Sequence, residues 1–127
     1  MGCRVLVADD DAFITTVVAR KLQNAGLEVL VAVDGQEAYE RAVADRPDLL
    51  ITDLQMPGMS GLELCARIAA ELPEAIPTIL LTAKGFELKQ ADLARFPAVQ
   101  VMTKPFSPRE LLARVQEALA SAGSPRR

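Results

Sequence analysis

The 127-residue sequence has no histidine, no tryptophan, two cysteines and few aromatics, four phenylalanines and one tyrosine. Without imidazole, a Ser-His-Asp triad and the usual zinc sites are excluded. The two cysteines, Cys3 and Cys65, fall in core-facing segments and read as small buried hydrophobes in a reducing compartment, so no disulfide is expected. No stretch free of charged residues exceeds nine positions, as in Ala75 to Ala83, well short of the roughly 20 apolar residues of a membrane-spanning helix. The start, Met1-Gly2-Cys3-Arg4-Val5-Leu6, has no apolar run behind a basic residue, and it carries Leu6 where a myristoylation site needs Ser or Thr. A soluble, cytoplasmic protein without a membrane partner is therefore expected. Positive charge is also scarce: 14 basic against 17 acidic residues give a net charge of −3, which argues against direct nucleic-acid binding. Any chemistry falls to carboxylates and lysines.

What is present is an ordinary globular balance, 50% hydrophobic and 24% charged, enough for a single core. Residues 1–122 read as one domain, and 123–127, Gly-Ser-Pro-Arg-Arg, as a flexible tail or the start of a linker. Five segments have continuous apolar runs, the pattern of strands covered on both faces: Arg4 to Ala8, Glu28 to Val33, Leu49 to Thr52, Thr78 to Thr82 and Val99 to Thr103. Helical patterns lie between them. Ala12 to Ala25 places Phe13, Ile14, Val17, Val18, Leu22 and Ala25 on one stripe, with Gly26 as a left-handed cap. A second helix starts at Asp34 with Glu37 three residues on, and stops before Pro47. A third opens with the capping box Ser60-Gly-Leu-Glu63, turns Leu62, Cys65, Ala66, Ala69 and Leu72 inward, and ends at Pro73. The stripe over Phe86 to Arg95 is ragged, and that helix is the least well signalled. The last has Ser107 as cap, Pro108 in the first turn and Glu110 at the third position.

This alternation predicts right-handed crossovers and a three-layer α/β sandwich around a parallel sheet, whose binding crevice lies at the carboxyl ends of the strands. There the sequence places Asp9-Asp10-Asp11, Asp53, Thr82 and Lys104-Pro105. Singly, such residues are commonly solvated caps, β-formers or turns. Together at the ends of separate strands they point to a site. Carboxylates crowded at one edge repel by roughly 4 kcal/mol per pair at 4 Å and an effective dielectric near 20, so they call for a cation. Oxygen donors without imidazole or thiolate suit Mg²⁺. Three carboxylates, one such ion and the Lys104 ammonium balance to zero charge. That arrangement suits phosphoryl transfer, with Asp53 as nucleophile and Thr82 donating to a phosphoryl oxygen.

The motifs Val5-Leu-Val-Ala-Asp9-Asp10-Asp11, Leu50-Ile-Thr-Asp53-Leu-Gln-Met56-Pro57-Gly58-Met-Ser-Gly61-Leu-Glu-Leu, Leu81-Thr82-Ala83 and Lys104-Pro105-Phe106 resemble the receiver domain of two-component response regulators over nearly the whole chain. The spacings of 43 residues from Asp10 to Asp53 and 51 from Asp53 to Lys104 fit as well. The resemblance implies a CheY-like fold with sheet order 2-1-3-4-5 and five helices. It implies that Asp53 takes a phosphoryl group from a phosphohistidine on a sensor histidine kinase or phosphotransfer protein, so that the chain is a signalling phosphoacceptor and not an enzyme in the ordinary sense. Asp10 and Asp53 would bind Mg²⁺ directly, Asp9 through a water, and Gln55 through its backbone carbonyl. Asp11 would cap a helix, Lys104 would pair with the phosphoryl group across a cis Lys-Pro bond, and Gly58 and Gly61 would serve the loop after the nucleophile.

In such domains Thr82 and an aromatic residue three before the lysine form the switch. Here that second position is Val101, which has no aromatic rotamer to turn inward, so switching is expected to proceed through backbone rearrangement around Phe86 or Phe96. The side chains of Gln55 and Lys84 are candidates for modulating the lifetime of the phosphorylated state. Two alternatives compete with this reading. One is a haloacid dehalogenase-like phosphatase using Asp9-Asp10-Asp11, disfavoured by the short chain and by Phe13. The other is an unphosphorylated interaction module of the same fold, disfavoured by the complete set Asp9, Asp10, Asp53, Thr82 and Lys104. The downstream effector is not legible in the sequence.

Overall fold

The computed structural model describes residues 3–83, 94–96 and 98–121. Its elements are β1 (Arg4–Ala8), α1 (Ala12–Asn24), β2 (Glu28–Ala32), α2 (Gly35–Asp45), β3 (Leu49–Asp53), α3 (Gly61–Glu71), β4 (Thr78–Thr82), β5 (Val99–Thr103) and α4 (Pro108–Ser121). The five strands form one parallel sheet in the order β2-β1-β3-β4-β5, as expected. Among the described residues there are four helices; the stripe over Phe86 to Arg95 lies mostly outside them, as does the tail 123–127.

Side-chain alternation along the strands divides the core in two. Val5, Val7, Leu49, Ile51, Ile79 and Leu81 point to one face and are packed by Val18 and Leu22 of α1 and Leu111, Val115 and Ala118 of α4. Leu6, Ala8 and Leu50 point to the other, against Ala38 and Ala42 of α2 and Leu64 and Ile68 of α3. β3 and β4 are buried throughout, which explains their uninterrupted apolar sequences. The edge strands β2 and β5 are only partly covered.

The end signals act as their chemistry dictates. The Asp11 carboxylate accepts from the amides of Phe13 and Ile14, Asp34 from that of Glu37, and Ser60 and Glu63 form a reciprocal capping box. Ser107 Oγ accepts from the amides of Arg109 and Glu110 at the start of α4. Gly26 has a φ of 91°, as its place after α1 requires. β2 stops at Ala32, one residue short of the expected end, because the Val33 amide leaves the ladder for the Glu37 carboxylate, and Val33 is 55% exposed.

Two inward faces differ from the sequence reading. Phe13 is 76% exposed: α1 turns Thr15, Val18 and Leu22 to the sheet, and Phe13 lies about 140° around the helix from Val18. In α3 the buried face is Leu64, Cys65 and Ile68, continued by Leu72, instead of Leu62, Ala66 and Ala69. The cause is Gly61, whose backbone sits directly against the sheet, so the residues three, four and seven positions on must follow it.

Arg46, the C-cap of α2, is held at φ 46° and ψ 67° while its amide donates to Ala42 O. A residue with a Cβ is strained there. Arg46→Gly is expected to raise stability by about 0.5 kcal/mol after allowing for the greater freedom of glycine in the unfolded chain. The check is a higher urea midpoint at unchanged m.

Candidate functional site

β1 delivers Asp9 to the carboxyl edge of the sheet, where its amide extends the ladder by donating to Ala32 O at 3.2 Å. The Asp9 side chain is buried, with Oδ1 accepting from the Asp11 amide at 2.9 Å and Oδ2 from Lys104 Nζ at 3.2 Å. Asp10 is exposed beside it. Asp53 is the last residue of β3 and is buried, its Oδ1 also 3.2 Å from Lys104 Nζ. One carboxylate oxygen from each of Asp9, Asp10 and Asp53 lies within 4.8 Å of the others. The acidic residues just past β1, the end of β3 and the residue after β5 thus meet, although 95 positions separate Asp9 from Lys104.

The backbone around Asp53 is held tightly. Its carbonyl accepts from Thr52 Oγ1, Leu54 donates to Leu81 O, and Gly61 donates back to Leu54 O. A Cβ on Gly61 would lie 2.6 Å from Asp53 O and 2.8 Å from Leu80 Cδ1, so only glycine lets α3 start this close to the strand end. Gly58, at φ 80°, turns the intervening loop. On the other side the Lys104 amide donates to Thr82 O at 2.7 Å, and the Lys104–Pro105 peptide is cis. Thr82 itself is buried at the end of β4, paired in register with Thr103.

Burial pushes the Asp53 carboxyl above the ordinary aspartate range; Lys104 opposes the shift, while Asp9 and Asp10 add to it. Burial would lower the Lys104 ammonium, yet Asp9 and Asp53 outweigh it and the group is raised. Lys104 therefore stays charged, but among the described residues it is the one ammonium facing three carboxylates, which it does not neutralise. The donor set fits a hard divalent ion: three carboxylate oxygens, with no thiolate and no imidazole among the described residues of the cluster.

Other expected positions fall as follows. Gln55 is exposed just beyond Asp53, Val101 is half-buried in β5 opposite Leu80, and Phe96 is half-buried. Lys84 and Phe86 lie outside the described residues. Cys65 is buried, its thiol pushed up to about 11 by burial, Cys3 is half-buried, and both are unbonded. One feature has no counterpart in the sequence reading: a cavity of about 510 Å³ beside Lys104, walled by Phe13, Val17, Ala83, Pro105 and Phe106. The signal for it is Phe13, an aromatic residue off the buried stripe of α1 and three positions from the acidic cluster.

The family model of the response regulator receiver domain matches residues 5–116. The chain belongs to this family. Its sequence is 42% identical over 124 residues to the phosphate regulon transcriptional regulatory protein PhoB of Pseudomonas aeruginosa, covering 97% of this chain and 54% of that protein. It is 37% identical over 119 residues to the alkaline phosphatase synthesis transcriptional regulatory protein PhoP of Bacillus subtilis, covering 94% of this chain and 49% of that one. The chain thus spans about half the length of these relatives. Among solved structures it resembles the chemotaxis protein CheY4 of Vibrio cholerae, with a TM-score of 0.82 and 32% identity over 93% of this chain and 99% of that one. The receiver domain of AraT from Geobacillus stearothermophilus gives 0.78 and 32%, over 98% and 100%. Receiver domains of two-component response regulators are signalling phosphoacceptors, and the fold agrees with the order of strands seen here. No helix among the described residues is long and apolar enough to cross a membrane.

Asp53→Asn removes the cost of burying the Asp53 charge and its repulsions with Asp9 and Asp10, and gives up the attraction to Lys104; the raised Asp53 carboxyl shows that the unfavourable contributions outweigh that attraction. Without divalent cations the receiver domain should gain about 1 kcal/mol, a Tm higher by roughly 3–5 °C. Because the folded chain holds the Asp53 proton to higher pH than the unfolded chain, that carboxyl favours folding at low pH and loses its contribution as pH rises through the raised value. The stability difference between the variant and the wild type should therefore widen as pH rises from about 4 to 7, measured by thermal melts in chelator.

Proposed function

We propose that Asp53 is the phosphoacceptor, that Asp9, Asp10, Asp53 and the backbone carbonyl of Gln55 hold Mg²⁺, and that Lys104 and Thr82 receive the transferred group. The observation that carries this reading is the single ammonium of Lys104 shared at 3.2 Å between Asp9 and Asp53, with Asp10 completing the cluster. The donor is a phosphohistidine on a sensor histidine kinase or phosphotransfer protein. An Asp53 carboxylate oxygen attacks phosphorus, the phosphorus–nitrogen bond of the donor breaks, and the imidazole leaves with the electron pair. Bound at these oxygens, Mg²⁺ supplies positive charge against the phosphoryl oxygens. Lys104 lies next to Asp53 Oδ1, so it reaches a phosphoryl oxygen by a short movement away from Asp9.

Hydrolysis reverses the state: water attacks phosphorus, the bond to Asp53 breaks, and inorganic phosphate leaves. The domain takes part in its own dephosphorylation, with the side chains of Gln55 and Lys84 modulating access of that water. Thr82 and position 101 link the phosphoryl group to the outer surface. With valine at 101, the link runs through backbone rearrangement around Phe86 or Phe96. Residues 1–122 constitute the receiver and 123–127 lead out of it. The setting is the cytoplasm, and the output is a change in contact with an effector protein or domain rather than direct binding of nucleic acid.

The cavity walled by Phe13 and Phe106 offers the donor protein an apolar footing within reach of Lys104. Small-molecule donors need no such footing.

Incubation with Mg²⁺ and acetyl phosphate or phosphoramidate should add the mass of one phosphoryl group. Asp53→Asn or chelator should abolish the gain, and Lys104→Ala should slow it by about a hundredfold. Persistence of the mass gain in Asp53→Asn would place the acceptor elsewhere. In a separate comparison, Phe13→Ala should slow transfer from a phosphorylated histidine donor by about tenfold while leaving acetyl phosphate labelling at the wild-type rate.

A further inference from the structure

We infer that Gly35, on the first turn of α2 and outside the acidic cluster, is a positioning residue for the loop that carries Gln55. This rests on the proposed metal site and assigns part of its support to a different element. Gly35 is buried, and its φ is not in the left-handed region. Its backbone is open to any residue, so only space demands glycine there. A Cβ would stand 2.7 Å from Met59 Cβ, 3.1 Å from Met59 Cγ and 3.1 Å from Met59 O. The contact therefore involves the root of the methionine and its peptide, which a rotation about the far end of the side chain does not relieve.

Both sides of this contact are anchored. The start of α2 is fixed by the Asp34 carboxylate on the Glu37 amide and the Glu37 carboxylate on the Val33 amide, each at 2.8 Å. Met59 is buried in the same cluster as Ala38 and Ala42 of α2. Beyond it, Ser60 and Gly61 begin α3, and Gly61 already stands against Asp53 O and Leu80. Extra volume at position 35 is therefore passed through Met59 to the segment 55–58, which is packed by Met56 in the same cluster, bent at Gly58 and bounded by the Leu54 amide bond to Leu81 O. The Gln55 carbonyl belongs to that segment. Gly35 sets where it stands relative to the carboxylates.

The test compares wild type, Gly35→Ala and Gly26→Ala by Mg²⁺ titration followed through amide chemical shifts. Gly26, unlike Gly35, has a positive φ and open space around it, so its alanine variant lowers stability away from the loop. Gly35→Ala should shift the amides of 54–59 in chelator and weaken Mg²⁺ binding by about tenfold, with acetyl phosphate labelling recovering at saturating Mg²⁺. Gly26→Ala should bind Mg²⁺ as the wild type does, even where its loss of Tm matches that of Gly35→Ala. Pairing Gly35→Ala with Met59→Gly removes both side-chain collisions and should restore part of the lost affinity. If Gly35→Ala does not fold alone, the pair Gly35→Ala with Met59→Gly carries the comparison: it keeps only the contact with the carbonyl oxygen of residue 59 and should still bind Mg²⁺ more weakly than Met59→Gly alone. Wild-type Mg²⁺ affinity in a folded Gly35→Ala overturns this inference alone. Absence of Mg²⁺ binding in the wild type overturns both it and the metal site on which it rests.

Discussion

The structure depends at its working edge on a charge imbalance held in place by burial. Asp9 and Asp53 are withdrawn from water and Asp10 stands close by, yet among the described residues a single ammonium faces them. Like charges at such separations in a partly dehydrated site cost several kcal/mol, and a fold that retains them does so with the remaining charge left open to a further cation. Lys104 answers only part of the imbalance. Asp9 and Asp53 raise its affinity for its proton against the cost of burial, and the carboxyl of Asp53 is raised first by burial, with Asp9 and Asp10 adding to it.

Parallel topology makes this crowding possible. All five strands end on the same edge, so one residue past β1, the last of β3 and one past β5 converge without any local sequence relation. The two-sided core then holds the edge still: β3 and β4 are covered on both faces, and Asp53 is the final ladder residue of a fully buried strand. Backbone contacts supply the remaining stiffness. Gly61 against Asp53 O and the Lys104 amide on Thr82 O attach the flanking segments directly to the strand ends, where side-chain packing alone would leave freedom.

Strands, caps and acidic cluster were legible in the sequence because each is written in a local signal. Buried parallel strands need unbroken apolar runs, helix starts need a side-chain acceptor, and strand-end carboxylates stand out from apolar neighbours. Rotation of a helix about its axis is a different kind of information. The stripe on α3 mixes Ala, Leu, Cys and Ile on adjacent positions, and what selects Leu64 and Ile68 is the approach of Gly61 to β3 and β4, a tertiary contact. Phe13 illustrates the same point: hydrophobicity assigned it to the core, whereas the α1 face that fits the sheet includes the small, hydrogen-bonded Thr15. Close approaches are less legible still. Gly35 sits after an N-cap, where glycine is unremarkable, and nothing local tells that Met59 occupies the space of its missing Cβ.

On the proposed reading, the ion and the phosphoryl group share one cluster, and their affinities are then coupled. The unmodified site has more negative charge than Lys104 balances, so it attracts a divalent ion; a phosphoryl group on Asp53 replaces one carboxylate charge by the larger charge of the phosphate and strengthens that attraction. Linkage makes the effect reciprocal: whatever free energy the group adds to ion binding, the ion adds to the stability of the phosphorylated state. The geometry of the loop after Asp53 enters both sides equally, because the same carbonyl serves the ion before and after transfer. A displacement of that loop therefore weakens ion binding without changing the nucleophile, whereas a loss at Asp53 removes the acceptor and a pole of the ion site together. Residues that never touch the phosphoryl group thus acquire a functional role through the position of one peptide.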